Sequence, residues 1–412
     1  MPARGDFKVK RSSSSPVDVA VIGAGAIGLS IAWRAASRGL RVLVLERDHP
    51  GAGTSYHAAG MLAPVAEVTP GEDALLSLGL RSAELFAPFV SELQRASEMR
   101  VGYTRCGTLL VARDTDEASA LERELALRQR LGLEVQRLRA SAARRLEPGL
   151  APSLRLALDV PGDHAVDPRT LVAALAAATL RGGGELRTGT AVASLDVAGD
   201  SVRGVVLGDG SHVAARQVVV AAGVWSGSLG GLPAERLVPL RPVKGQILRL
   251  HDPAGPGLLT RVIRMGPGGS SYITPRGDGR YVIGATSEER GFDTSVTAGA
   301  AFELLREASE LVPGVSELVL DELTAGLRPA TPDNLPVIGR APRVDGLWWA
   351  VGHRRGGILL SPVTAELIVA GLVAADAGDG RHHDDAAGLD GDLARAFDPA
   401  RFAGRVTIGT AA

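Results

Sequence analysis

The first residues in the chain whose types and spacing imply chemistry are Gly23, Gly25 and Gly28, with Ala26 and Ile27 between the last two. In such a G-x-G-x-x-G, the first glycine permits a tight turn out of a strand. The second lets the backbone approach a pyrophosphate, and the third lets a helix pack close to that strand. The helix N-terminus then offers unpaired N–H groups and a positive dipole end to phosphates. Glu46, eighteen residues after Gly28, is placed to accept hydrogen bonds from an adenosine ribose. Together these residues predict a dinucleotide site. The acidic side chain argues against a 2′-phosphate, and hence against NADP; NAD and FAD both remain open.

The surrounding elements must hold these groups in place. Residues 17–22 form a short β-branched run suited to a buried strand. Residues 29–38 read as a helix closed by Gly39, and 41–45 as a second strand ending at Glu46. The loop at 47–68 is rich in small residues, as expected for a segment lying along a ligand. It contributes Arg47, Thr54, Ser55, His57, Ala59, Gly60 and Met61 as candidate cofactor contacts.

Beyond that loop the βαβ rhythm breaks. Helices at 73–99, 117–131 and 141–147 alternate with strands at 103–112 and 154–160, which reads as an excursion into a second domain. Asp167 as N-cap and Pro168 at the first helical position open a helix at 171–180. Strands at 185–187 and 191–196 follow, the latter holding Val192, and Asp209-Gly210 signals a hairpin. The apolar strand 217–222 then brings Ala222, Gly223 and Trp225 towards the cofactor. A second excursion runs through strands at 239–250, 271–275 and 281–285, a helix at 298–311, and a strand at 318–327 that delivers Arg328. A strand at 347–351, a Gly/Arg turn and a helix at 358–372 complete the core.

The expected division is therefore discontinuous. Residues 1–16 form a tail; 17–75, 160–232 and 330–375 a nucleotide domain; 76–159 and 233–329 a substrate domain. Residues 376–412 form a C-terminal tail with a short ordered segment around Ala396, Phe397 and Phe402. A nicotinamide dehydrogenase usually keeps its Rossmann unit in one block, so the interleaving favours FAD.

Composition narrows the rest. The formal net charge of −1 over 412 residues gives no electrostatic case for nucleic acid or an anionic membrane. The single cysteine, Cys106, excludes an intrachain disulfide and a cysteine metal cluster, and is expected to be structural. No apolar run of membrane-span length is read, and the basic, Ser-rich N-terminus lacks a signal-peptide core. A cytoplasmic enzyme is the expectation, with oligomeric state left open.

Several motifs then converge: the glycine fingerprint, SYHAAGMLAP at 55–64, PVKGQ at 242–246, GLRPATPDNLPVIG at 326–339 and GHRRGGILLSPVTAELI at 352–368. Over roughly residues 17–375 the chain resembles the FAD-dependent amine and amino acid oxidases, and within them the glycine oxidases of the D-amino acid oxidase family. The resemblance implies an α/β fold with a discontinuous Rossmann-like FAD-binding domain and an interleaved antiparallel-sheet substrate domain. It implies hydride transfer from a small amine (glycine, sarcosine or a small D-amino acid) to FAD. Oxygen would be reduced to hydrogen peroxide, in the thiazole branch of thiamine biosynthesis.

By the same resemblance Arg328 binds the substrate carboxylate, Tyr272 bounds the pocket, and Arg355 stands near the substrate. His353, Gly356, Gly357 and Ile358 face the flavin, the last three opening a helix whose dipole favours the anionic reduced form. Ser270 and Ser287 depart from the histidine and methionine often found at those positions, which alters the pocket. Tyr56-His57-Ala58-Ala59-Gly60 looks instead like the W-H-A-A-G of dimethylglycine and sarcosine dehydrogenases, where the histidine carries covalent FAD. A non-covalent histidine beside the flavin is the alternative. Other readings stay open: a D-amino acid dehydrogenase passing electrons to a quinone, a sarcosine/dimethylglycine-type dehydrogenase, a nicotinamide dehydrogenase, a tailoring flavoprotein acting on a larger amine, and a non-catalytic nucleotide-binding module.

Overall fold

The structure is a computed structural model that describes residues 16–266, 269, 271–377 and 391–402. The tail expected at 1–16, apart from Pro16, lies outside the described residues, as do Ser270 and residues 378–390 and 403–412 of the expected C-terminal tail.

Two eight-stranded sheets dominate. The first is built on Val17–Ile22, whose β-branched residues are almost wholly buried. It pairs in parallel with Val42–Leu45 on one side and His212–Val220 on the other. Leu347–Val351 and Glu185–Arg187 extend the parallel sheet, and Val337–Arg340 adds an antiparallel edge. His212–Val220 is one continuous strand, joining the expected hairpin arm to the expected core strand. Helices Ala26–Ser37, Pro168–Arg181 and Ser361–Asp376 cover one face of this sheet. A second apolar layer, including Val205, Val213 and Trp349, fills the other face.

Asp167 caps its helix as expected, accepting a hydrogen bond from Arg169 N at 3.0 Å, with Pro168 just inside. The helix Asp73–Ser97 is long and apolar enough, by length and composition alone, to cross a membrane, which the run-length reading did not register. Its apolar stripe, with Leu78, Phe86, Phe89 and Leu93, packs into the nucleotide layer, where Phe89 meets Trp33 edge-on at 5.2 Å. Most of this helix therefore belongs with the nucleotide sheet in space, although it falls in the stretch assigned to the substrate domain by sequence.

The second sheet runs in the order Val319–Ala330, Arg241–His251, Arg280–Gly284, Tyr272–Pro275, Val262–Met265, Thr108–Ala112, Leu156–Val160, Gln136–Arg139. All its pairings are antiparallel except Val262–Met265 with Thr108–Ala112. The strands at 262–265 and 136–139 were not anticipated. At the C-terminal end, Gly391–Phe397 is helical, and Phe397 and Phe402 are buried at 2% and 5% exposure. The expected ordered segment is therefore a docked part of the core.

Candidate active site

The main cavity has a volume of about 640 Å³ and lies between the two sheets. Ile22, Leu45, Ala222 and Val351, at or just past the C-terminal ends of four parallel strands, all line it. An open α/β sheet places its ligand crevice at this edge.

One end is made of backbone. Gly23 has φ +103°, and a Cβ there would lie 2.6 Å from Ala221 O. A Cβ on Gly28 would lie 2.0 Å from Gly23 O, so only glycine lets the helix Ala26–Ser37 sit this close to the turn. That helix has no side-chain cap at Gly25 and no acidic residue in its first turn, which leaves its positive end to an anion. Ser55 Oγ accepts a hydrogen bond from Ala26 N at 3.0 Å beside Gly25. Glu46 accepts from Ala24 N at 2.7 Å and Asp48 N at 3.0 Å, which holds its carboxylate at the cavity wall. The Arg47 guanidinium stacks on Trp225 at 3.9 Å, and Val192, Gly223 and Trp225 complete this end. These groups fit a dinucleotide: a glycine cradle for the pyrophosphate and a fixed carboxylate for a ribose.

The middle is organised by the short helix Thr54–His57. Thr54 Oγ1 donates to Leu327 O at 2.5 Å, and Tyr56 O accepts from Arg249 Nη2 at 2.7 Å. His57 packs against Gly326, where an added Cβ would lie 2.7 Å from its own Cβ. The His57 Nδ1 is buried without a hydrogen-bond partner. Burial, with Arg249 and Arg169 nearby, pushes its pKa down to about 4, so the ring is neutral at pH 7. Ala59, Gly60 and Met61 continue this wall. His353, also buried and lining the cavity, is bonded to Thr364 Oγ1 at 3.0 Å, and burial lowers its pKa to about 3.

The other end is made of long side chains from two strands and a turn. Arg328 crosses its neighbouring strand and lies over Gly245, where a Cβ would sit 2.4 Å from both terminal nitrogens. It donates to Thr286 O at 3.0 Å and makes no ion pair among the described residues. Tyr272 lies across Gly284, and burial raises its phenol pKa. Arg355 reaches the same cavity but is engaged by Glu72 at 2.7 Å and by Glu67 O at 3.0 Å. The structure therefore brings Arg328, Tyr272 and Arg355 to one chamber, with Arg328 the cation free of a carboxylate.

Some expected placements differ. The C-terminal helix begins at Ser361, after a turn at 357–360, because Pro362 sets its first turn and Gly356-Gly357 favour the bend. Gly357 and Ile358 line the cavity as part of that turn, before the helix starts. Gly356 faces a smaller neighbouring cavity of about 40 Å³, and Gly28 serves packing without lining the main one. Glu67, Gly245, Arg249, Arg264 and Gly326 also belong to this region and were not singled out from sequence. Glu67 falls in the loop read as lying along a ligand, and Gly245 in the PVKGQ stretch, so each carried a signal. Arg264 carried none, because its strand went unrecognised.

Comparison with known proteins gives the family. Residues 18–370 match the DAO family, described as FAD dependent oxidoreductase. The glycine oxidase of Geobacillus kaustophilus (strain HTA426) is 37% identical over 357 residues, covering 86% of this chain and 92% of that protein. The crystal structure of glycine oxidase from Geobacillus kaustophilus superimposes with a TM-score of 0.79, covering 87% and 95% of the two chains at 36% identity. The bifunctional protein ThiO/ThiG of Synechocystis sp. (strain ATCC 27184 / PCC 6803 / Kazusa) is 36% identical over 85% of this chain, which spans 51% of that longer protein. The structure of iminodiacetate oxidase (IdaA) from Chelativorans sp. BNC1 matches with a TM-score of 0.78 at 32% identity, covering 87% and 95%.

Proposed function

Since the chain belongs to the FAD dependent oxidoreductase family, we propose that it oxidises glycine or a similarly small amine, such as sarcosine or a small D-amino acid. The products are the imine, which hydrolyses to the oxo acid, and hydrogen peroxide from oxygen. The name of the Synechocystis relative, together with the glycine oxidase relative, leads us to place the reaction in the thiazole branch of thiamine biosynthesis. The observation that carries the reading is Arg328, a cation aimed into the cavity and held, among the described residues, only by carbonyls. A planar guanidinium in that state suits a bidentate carboxylate.

FAD, when bound, supplies the hydride acceptor. The residues proposed to hold it are the glycine cradle, Glu46, Arg47, Ser55, the wall from His57 to Met61, and the 222–225 turn. The chain's own work is to fix the carboxylate on Arg328, bound the small substrate with Tyr272, and exclude water from a half-buried chamber. Its surplus of arginines favours the neutral amine over the ammonium form.

A peroxide-coupled screen of glycine, sarcosine and D-amino acids tests this. Arg328→Ala is expected to keep its flavin and lose roughly a hundred- to a thousandfold in kcat/KM, as when one partner of a buried charge pair is removed. Absence of peroxide with every substrate in air, with electrons passing to a quinone instead, would move the protein to the dehydrogenase alternative. One observation supports a second reading, a covalent flavin link at His57: its ring is neutral and its Nδ1 unpartnered in the cavity wall. Acid-precipitated protein that gives up all its yellow colour ends that reading.

A further inference from the structure

Arg264 stands directly opposite Tyr272 in the antiparallel register. Residues so paired share a face of the sheet, with Cβ atoms about 5 Å apart, and both side chains line the main cavity. Arg328 enters the same cavity from the far edge strand and comes to rest over Gly245, one strand inward. Three strand spacings separate Gly245 from Arg264, roughly 14 Å at backbone level. Tyr272 stands between them. The two guanidinium groups therefore flank the tyrosine from opposite sides of one chamber, and the small Ser287 lines the chamber with them.

Arg264 is only loosely engaged. One of its nitrogens meets Glu67 Oε1 at 3.3 Å, long for a charge-assisted hydrogen bond. Glu67 is itself shared with Arg355 at 3.6 Å. Across this end, Arg264, Arg328, Arg354 and Arg355 face, among the described residues, only Glu67 and Glu72, which leaves two more cations than carboxylates there. A single carboxylate on Arg328 answers one of them.

The geometry points to a second anionic subsite at Arg264. The substrate class is then amino acids with a further carboxylate beyond the reacting carbon, on the amine or the side chain. Arg328 holds the carboxylate next to the reacting carbon, and Arg264 holds the distal one. This assignment rests on the small-amino-acid reading above and extends it.

Two pairs of compounds differing by one carboxylate test it with the FAD-loaded enzyme. The substrates are sarcosine and iminodiacetate; the unreactive ligands are methoxyacetate and diglycolate, titrated against the flavin absorbance. We expect diglycolate to bind at least tenfold tighter than methoxyacetate. We also expect the iminodiacetate-to-sarcosine ratio of kcat/KM to fall at least tenfold in Arg264→Gln, mainly through KM. Arg264→Lys should keep most of both preferences, and Glu67→Gln, which releases Arg264, should strengthen them. Equal binding of the two ligands, or ratios within twofold of the unsubstituted enzyme in Arg264→Gln, overturns the subsite. Peroxide from sarcosine without a diglycolate preference sinks the subsite and leaves the oxidase reading standing. A diglycolate preference that needs Arg264, without peroxide from any amine, does the reverse.

Discussion

The two ends of the cavity are built from different materials. The nucleotide end uses backbone: glycines that admit close approach, an uncapped helix N-terminus, and one carboxylate pinned by the amides of Ala24 and Asp48. The substrate end uses arginines and a tyrosine carried by separate strands and a turn, with the arginines' partners far away in sequence. Arg328 meets the carbonyls of Lys244 and Thr286, and Arg355 meets Glu67 and Glu72. Backbone cannot adapt to an added atom, whereas a long side chain can move at the cost of its alignment. Substitutions should therefore fail in different ways at the two ends.

The largest effect is expected at Gly28. Gly28→Val places a Cβ against the Gly23 carbonyl and forces the helix away from the turn. The purified protein should carry almost no flavin, read from the ratio of visible to ultraviolet absorbance; a yellow Gly28→Val protein would break the contrast. Gly245→Ala should be milder. Its φ is not in the left-handed region, so the backbone accepts alanine, but the new methyl occupies the place of the Arg328 guanidinium. Flavin content should be retained while KM rises about tenfold, with kcat changed less. That split would locate the damage at the carboxylate anchor.

The smallest effect concerns His57, where the two ends meet. Its folded pKa, about 4, lies below the ordinary 6.5, so unfolded chains take up a proton first as pH falls. The stability due to the neutral ring is fully present above pH 6.5 and is lost as pH drops towards 4. The melting temperature should decline through that window, and less steeply in His57→Asn.

The same contrast governs what could be read from sequence. Gly23, Gly25, Gly28 and Glu46 announce themselves because backbone chemistry demands fixed residue types at fixed spacing. The substrate end is legible only in part. Arg328 and Tyr272 came from a resemblance in motif, but no local pattern says that Arg328 needs a glycine at 245. Nor does one say that Glu67 occupies Arg355, since those pairings arise only when segments distant in sequence meet in the fold. The start of the last helix was misplaced because the Gly/Arg turn was read as ending at Gly357, whereas the turn runs on through 360 and Pro362 sets the first helical turn. The strand holding Arg264 is only four residues long and pairs in parallel with one more than 150 positions earlier. Its other neighbour, Tyr272–Pro275, is close in sequence, but the parallel partner that fixes its place in the sheet lies beyond any local window.

The four-residue helix Thr54–His57 has a consequence for protein engineering. It is keyed to the substrate sheet at Gly326, Leu327 and Arg249 and to the nucleotide cradle through Ser55. The substrate sheet is thus not an exchangeable cassette. A graft that imports a new specificity sheet must bring a glycine at 326, or the imported strand will push His57 and distort the cofactor wall.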